Sequence, residues 1–451
     1  MYSGPPARPM PMRLGRYHVR AKIGEGGMAT VYLGHQTHGS GVERVVALKV
    51  IKDEFSLNRD FVNMFLDEAK IVSRLSHPNV VRVYELGSEG TRLFIAMELL
   101  FGQSLWHVWN ACRLRGVRLK YEVAAWIAAR CAQGLDHAHD LRSPDGTSSY
   151  LVHRDINASN IFVTYDGQVK IIDFGLAKAI GRVSKTAAGI VKGKLAYMSP
   201  EQAVGKPLDR RSDVFALGTT LWEITTDRRL FKGSDDLDTL KRVYAADVPD
   251  ACAMVEGFPA ALRDILRRAL AREAKDRYAT AADFGRDLDK YACRDGSPMG
   301  PPVVAEVMQA LFRSERERQA HWISEASASD KPAPNDALVS PEVPKFGMTM
   351  PPPGDSKAAA LDTALFSGPA ITLRDPVLAA RQAATAQGGV STGEMARIKR
   401  TVEAPFRAAG DEEASIAVAS GRGRGMTAVL GVVALLVVST AVAALVWMLK
   451  R

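Results

Sequence analysis

Three short clusters, met in one order along the chain, restrict this sequence more than any other feature. His153-Arg154-Asp155 opens a loop that closes at Asn160. Asp173-Phe174-Gly175 follows the apolar run VKII, and Tyr197-Met198-Ser199-Pro200-Glu201 comes next. Upstream, the run ERVVALKVI alternates apolar residues like a strand and presents Lys49 among them. A lysine there is costly to bury unless it is paired. The helix-like FVNMFLDEAKIVSRL offers Glu68 as the partner. Taken alone, Lys49 reads as well as an exposed residue at a strand end.

The segment YHVRAKIGEGGMATVYLGHQ reads as strand, glycine turn, strand. Gly24, Gly26 and Gly27 lack a Cβ, so their backbone N–H groups can approach phosphates closely. By itself this is no more than a glycine-rich hairpin. The combination says more. Phosphoryl transfer needs a carboxylate to orient an attacking hydroxyl, oxygen ligands for Mg²⁺ and a cation on the nucleotide phosphates, because the chemistry is mostly positioning and charge stabilisation. Asp155, Asn160, Asp173 and Lys49 supply those groups.

On these motifs, residues 17 to about 292 resemble the bacterial, eukaryotic-like Ser/Thr protein kinases. The resemblance implies an α+β, two-lobed protein kinase fold, with a small β-rich N-lobe (about 17–100) and a larger helical C-lobe (about 101–292). It implies ATP and Mg²⁺ as cofactors. Lys49 would contact the α- and β-phosphates and pair with Glu68, Asp155 would be the catalytic base, and Asn160 and Asp173 would bind metal. The nucleotide would lie among Ile23, Gly24, Glu25, Gly26, Gly27, Met28, Ala29, Thr30, Val31, Ala47 and Lys49, with Val31 on the adenine. Met97, Glu98 and Leu100 would form the hinge edge. Two structural roles follow as well: Asp213 in RSDVFALG would hold the catalytic loop, and Glu201 would pair with Arg277 of DRYATA.

The pattern breaks in places. The third glycine of the loop is Ala29. The lysine that Ser/Thr kinases carry two residues after the catalytic aspartate is Asn157. The threonine that follows the glycine of their GTxxY stretch is replaced, in GKLAYMSPE, by Lys194. One cation is lost and one gained, on loops that meet at the active site in this fold. Either Lys194 compensates by reaching the γ-phosphate or Asp155, or Asn157 weakens activity and Lys194 is merely solvated. His137 and His139, at the end of EVAAWIAARCAQGLDHAHDL, read as helix-end or packing residues, since a metal site would need two more ligands.

The rest of the chain adds an anchor. A length of 451 residues exceeds one core, and the 47% hydrophobic and 24% charged fractions suit a folded domain with appended segments. The net charge of +9 suits an anionic ligand or membrane face, and the scattered Lys and Arg argue against nucleic acid. Cys112, Cys131, Cys252 and Cys293 have no metal spacing and are expected as buried thiols in a reducing cytosol. Residues 1–16, without an apolar core, read as a flexible arm and not a secretory signal. Residues 293–425, broken by PMGPP, KPAPNDA and TMPPPGDS, read as a disordered juxtamembrane linker with a short helix around Val303–Arg318. Residues 428–449 are 22 uncharged residues, twelve of them Val or Leu. As a helix they would span roughly 33 Å, enough to cross a bilayer core.

The sequence thus predicts a single-pass cell-membrane kinase with its catalytic domain in the cytoplasm. Its partners would be protein substrates and a second copy of itself for trans-autophosphorylation. The alternative is a membrane-tethered pseudokinase scaffold, supported by Asn157 and Ala29 and opposed by intact Lys49, Glu68, Asp155, Asn160 and Asp173.

Overall fold

Alternating apolar residues build a sheet from the strands between Arg13 and Glu98. The computed structural model describes residues 13–328 apart from 28, 38–42, 57–58, 143–144, 148–150, 175–193 and 297, together with a short strand at 366–367. Strands β1 (Arg13–Leu14), β2 (Tyr17–Glu25), β3 (Ala29–Thr37) and β4 (Glu43–Ile51) lead into helices α1 (Asp53–Ser56) and α2 (Arg59–Val72), then β5 (Val83–Glu89) and β6 (Arg92–Glu98). The six strands pair antiparallel in the order β1-β2-β3-β4-β6-β5.

Successive side chains of a strand point to opposite faces. Along β4, Val46, Leu48 and Val50 join Leu14, Tyr17, Val19, Phe94 and Ala96 in one buried cluster. Val45, Ala47 and Lys49 therefore stand on the other face. Register then does the positioning: Val31 lies opposite Lys49, Leu33 opposite Ala47, Ala47 opposite Met97 and Val46 opposite Glu98.

The second lobe is helical. It runs through β7 (Gly102–Ser104), α3 (Leu105–Leu114), β8 (Arg118–Leu119), α4 (Tyr121–His139), β9 (Ile161–Thr164) and β10 (Val169–Ile171). There follow α5 (Pro200–Ala203), α6 (Arg211–Thr226), α7 (Asp236–Ala245), α8 (Ala251–Met254), α9 (Ala260–Ala269), α10 (Ala281–Ala292) and α11 (Pro301–Ala328). Strands β10, β9 and β7 form a small antiparallel sheet in that order, and Phe366–Ser367 (β11) pairs with β8.

Helix α6 is the axis of this lobe, buried from Ser212 to Thr226. Its buried threonines satisfy their hydroxyls on the preceding turn: Thr219 donates to Phe215 O at 3.0 Å and Thr220 to Ala216 O at 2.9 Å. Helix α4 packs against α6, β10 and α10. Gly285 permits the last contact, since a Cβ there would lie 3.1 Å from the Ala132 side chain.

The two-lobed architecture is as the sequence implies. Two details differ. The stretch read as linker holds α11, 28 residues long and longer than the helix suggested around Val303–Arg318. Of the four cysteines, only Cys112 and Cys131 are buried, whereas Cys252 is half-buried and Cys293 exposed. Burial pushes the Cys112 thiol up to about 12 and Cys131 further still. Among the described residues no helix is long and apolar enough to cross a membrane; residues 1–12, 329–365 and 368–451, including the apolar run 428–449, lie outside them.

Candidate active site

The cleft chemistry begins with a buried carboxylate beneath it. Asp213, in the first turn of α6, is fully buried and accepts three hydrogen bonds. They come from His153 N (2.8 Å), Arg154 N (2.8 Å) and His139 Nε2 (2.7 Å). Burial alone would raise its pKa, but the His139 hydrogen bond and the fields of His139 and His153 outweigh that and hold it below the usual carboxylate value. The bonded N–H groups belong to residues whose backbone needs fixing. Arg154 has φ 68°, a left-handed conformation that disfavours any residue with a Cβ. Asp173 is held the same way, at φ 60°. Strain of this kind persists only where the surroundings over-determine it.

His153 ties the two loops together. Its Nδ1 accepts from Asp155 N at 3.3 Å, which leaves Nε2 as the donor to Ile172 O at 3.1 Å. Its ring packs on Phe174 with centroids 4.6 Å apart, and Phe174 is buried. Ile172 N donates back to Asn160 O at 2.9 Å. The residue just before Asp173 is thus bonded to both ends of the loop that carries Asp155.

On this frame the polar groups converge. Asn160 Nδ2 donates to Asp155 O at 2.7 Å and to Asp155 Oδ2 at 3.0 Å. Lys194 Nζ reaches the same Oδ2 at 2.5 Å. Lys49 Nζ pairs with Asp173 Oδ1. The position of Asp173 between the lobes penalises its charge, yet Lys49, and then Lys194 and His153, bring its pKa below the ordinary value.

Asn157 turns inward. It is 1% exposed, its Nδ2 donates to Asp155 O at 2.9 Å, and its Oδ1 accepts from Ser159 N at 2.9 Å. It staples the loop and offers no cation to the cleft. Lys194 faces the carboxylate from the opposite loop.

The remaining sequence-predicted residues fall as follows. Ile23, Gly24 and Glu25 end β2, Gly26 and Gly27 form its turn, and Ala29, Thr30 and Val31 begin β3; Met28 lies outside the described residues. Gly26 N donates to Ala29 O at 2.8 Å, closing the turn. Glu25 is held by Lys22 (2.5 Å) and Lys52 (3.0 Å), and these bonds lower its pKa. Glu98 gives its carboxylate to Lys170 and to Arg82 N, both at 2.7 Å, so its backbone is what it offers at the hinge, beside Leu100. Glu68 lies in α2, and its side chain is outside the described structure; so are residues 175–193, in which the sequence offers the hydroxyls of Ser184 and Thr186 as candidate phosphorylation sites. Glu201 meets Arg277 through two bonds of 2.8 Å, as the sequence implies.

Sequence reasoning missed two groups. His139 is no simple packing residue, because it is the third donor on Asp213; its place opposite a buried aspartate was the signal that only the fold reveals. Tyr197 donates to Glu223 Oε2 at 2.8 Å, and Arg229 braces that buried carboxylate at 3.0 Å. Burial pushes both Tyr197 and Glu223 upward.

The donor set fits ATP with Mg²⁺. With the amide nitrogen of Asn160 committed to Asp155, its oxygen is the atom left to join Asp173 as a metal ligand. Among the described residues no three His, Cys, Asp or Glu side chains gather as in an all-protein metal site. Two hard oxygen ligands suit an ion that keeps waters and phosphate oxygens, as Mg²⁺ does.

Two lobes meeting at an aspartate, an asparagine, a second aspartate and a lysine define a protein kinase fold. The chain belongs to the protein kinase domain family, which matches residues 17–284. It is similar to the tyrosine-protein kinase MasK of Myxococcus xanthus, 37% identical over 311 residues, covering 68% of this chain and 48% of that protein. It is 36% identical over 277 residues to the serine/threonine-protein kinase PknL of Mycobacterium tuberculosis, covering 61% and 66%. With the serine/threonine-protein kinase PrkC of Bacillus subtilis the identity is 33% over 274 residues, covering 61% and 40%. The chain therefore spans between two-fifths and two-thirds of the length of these relatives. Among solved structures, the Mycobacterium tuberculosis PknI kinase domain superposes with a TM-score of 0.48 at 25% identity, covering 62% of this chain and 97% of that one.

Proposed function

We propose that this chain is an ATP-dependent protein kinase that transfers the γ-phosphate to serine and threonine hydroxyls of proteins, itself included. The observation that carries the reading is the joining of Asn160 and Lys194 on one oxygen of Asp155, beside the Lys49–Asp173 pair. Asp155 would accept the proton of an incoming hydroxyl. Asn160 holds that carboxylate at a fixed angle, and Lys49 offers charge to the phosphates once nucleotide enters. Bound Mg²⁺ would neutralise charge on the β- and γ-phosphates. In this reading Lys194, bonded to Asp155 Oδ2, takes over the role left vacant by Asn157 and would meet the γ-phosphate there, while the buried Asn157 amide holds the loop.

The serine/threonine choice follows the Gly24-to-Val31 and YMSPEQ stretches and the names of relatives such as PknL and PrkC; the name of MasK supports tyrosine. Beyond α11 we read a linker leading to a membrane span at 428–449, with the kinase domain on the cytoplasmic side and a second copy as partner in autophosphorylation. Phosphate on Ser184 or Thr186 would regulate the enzyme.

A scaffold reading draws on the fact that both cleft carboxylates already hold lysines. Transfer of labelled phosphate from ATP to the chain and to a generic basic protein, in wild type and Asp155→Asn, decides between them. Label in wild type alone supports the kinase; nucleotide binding without label in either supports the scaffold. Phosphoamino-acid analysis of the product tests the hydroxyl class.

A further inference from the structure

Helix α11 begins beyond the residues that match the kinase family, and it touches both lobes. Its first arm lies on the C-lobe. Val304, Val307, Met308 and Leu311 are buried, at the spacing of one helix face. Arg115, at the end of α3, donates Nη2 to Leu311 O at 2.8 Å. Gly167, in the β9–β10 turn with φ +86°, lets the helix start close by: a Cβ there would fall 1.9 Å from Pro301 O. At Phe312 the backbone leaves helical geometry (φ −134°, ψ 31°), and a second arm sets off.

The second arm reaches the N-lobe sheet. Trp322 and Ala326 are buried with Ala21 and Leu33, and Ile23, Val45, Leu99 and Ile323 pack around them. Ser327 Oγ lies 3.1 Å from His35 Nε2. The face they occupy decides what this contact does. Val45, Ala47 and Lys49 share one face of β4, and Leu33 stands opposite Ala47, two residues from Val31. Trp322 therefore packs on the sheet face that carries Lys49, at its hinge end. On that face of β4, Val45 meets the helix, and Ala47 and Lys49, read above as nucleotide contacts, follow within roughly 13 Å of strand. Ile23 lies near the end of β2, just before the glycine turn, and Leu99 lies between the hinge residues Glu98 and Leu100.

We propose that Trp322 is a positioning residue for the nucleotide, fixing Ile23 and Leu99 so that the outer wall of the adenine pocket is set by α11. The proposal rests on the ATP-binding reading above. A buried indole contributes a large rigid surface. Without it, Ile23 and Leu99 regain rotamer freedom that nucleotide binding must then remove, which lowers affinity without touching the reacting groups. The kinase unit of this chain accordingly extends to about residue 328.

The test uses the full chain, with ATP affinity measured by calorimetry and steady-state kinetics measured alongside. Trp322→Ala is expected to weaken ATP binding and raise KM for ATP about tenfold, equivalent to about 1.4 kcal/mol, with kcat within about threefold. Trp322→Phe should restore most of the affinity. A merely structural helix would lower thermal stability and leave KM unchanged, and that result overturns the proposal. If Trp322→Ala does not fold, Ile323→Ala on the same arm decides: unchanged affinity there also overturns it. Wild type that binds no ATP would instead defeat the kinase reading.

Discussion

The C-lobe interior and the cleft above it are both built on carboxylates bonded to basic side chains, yet they use them in opposite ways. Asp213 and Arg277 have fully buried side chains, and the partners of Asp213 and Glu201 engage all four carboxylate oxygens. At the cleft one member of each pair is more open: the Asp173 side chain is 38% exposed against 13% for Lys49, and that of Lys194 26% against 13% for Asp155. A buried, saturated pair has no alternative partner, so breaking it leaves a charge stranded at a cost of about 3–5 kcal/mol. A pair with one partly exposed member can exchange its partner for water, phosphate or metal at smaller cost. The interior pairs hold the loops in strained conformations; the cleft pairs, on the reading proposed above, would be displaced by substrates.

The largest effect expected from this contrast is at Asp155. Asp155→Asn keeps the hydrogen-bonding shape but removes the base, and should lower turnover by about 10²–10⁴-fold. Nucleotide affinity and unfolding midpoint should stay close to wild type. A comparable loss of stability would place Asp155 with the interior pairs and break the comparison.

Lys194 is next. At an effective dielectric near 20, an ammonium a few ångströms from a charged oxygen is worth on the order of a few kcal/mol. Lys194→Thr should therefore slow transfer by roughly ten- to a thousandfold, although threonine is the residue the family pattern leads one to expect. Asn157→Lys combined with Lys194→Thr should recover much of the activity, and the coupling energy of that cycle is the diagnostic. The structure makes the rescue demanding, because Asn157 also staples the loop to Asp155 O and Ser159 N. Simple additivity would show that the two positions do not share one role.

Much of the fold and the cleft is legible in the sequence, and the reasons are physical. Lys49, Asp155, Asn160 and Asp173 stand out because their chemistry admits few residue types at short spacing, and the fold brings them together at the cleft. The β4 alternation is legible too, and residue order alone assigns Val45, Ala47 and Lys49 to one face. His139 is not, because its partner Asp213 lies 74 residues away and only packing of α4 on α6 brings them together. Helix α11 is hidden for a different reason. Its apolar residues are sparse and change face at the Phe312 kink, and PMGPP and KPAPNDA on either side read as breakers. A helix that is amphipathic toward two separate surfaces carries no single stripe.

The smallest effect on turnover belongs to the interior, whose contribution appears in stability instead. Burial would raise the pKa of Glu201, but the two bonds and the charge of Arg277, with Ser212 Oγ donating at 2.7 Å, bring it down to about 2 from 4.5. The folded state thus favours the carboxylate more than the unfolded chain does. Its contribution, about 3 kcal/mol at roughly 1.4 kcal/mol per pKa unit, is fully present above about pH 4.5. It is lost as pH falls through the folded value near 2. Denaturant unfolding of wild type between pH 6 and 2.5 should therefore show stability declining with acid, and Glu201→Gln should be less stable at pH 6 with a shallower decline. The two proteins should converge toward pH 2.5, where the wild-type carboxylate has surrendered most of its advantage. Turnover per folded molecule of Glu201→Gln should change by only a few fold, because this pair holds α5 to the segment before α10 and touches no cleft group. If Glu201→Gln instead abolished turnover while leaving the acid slope intact, the interior pairs would be working parts of the cleft, and the division between holding and exchanging charges would fail.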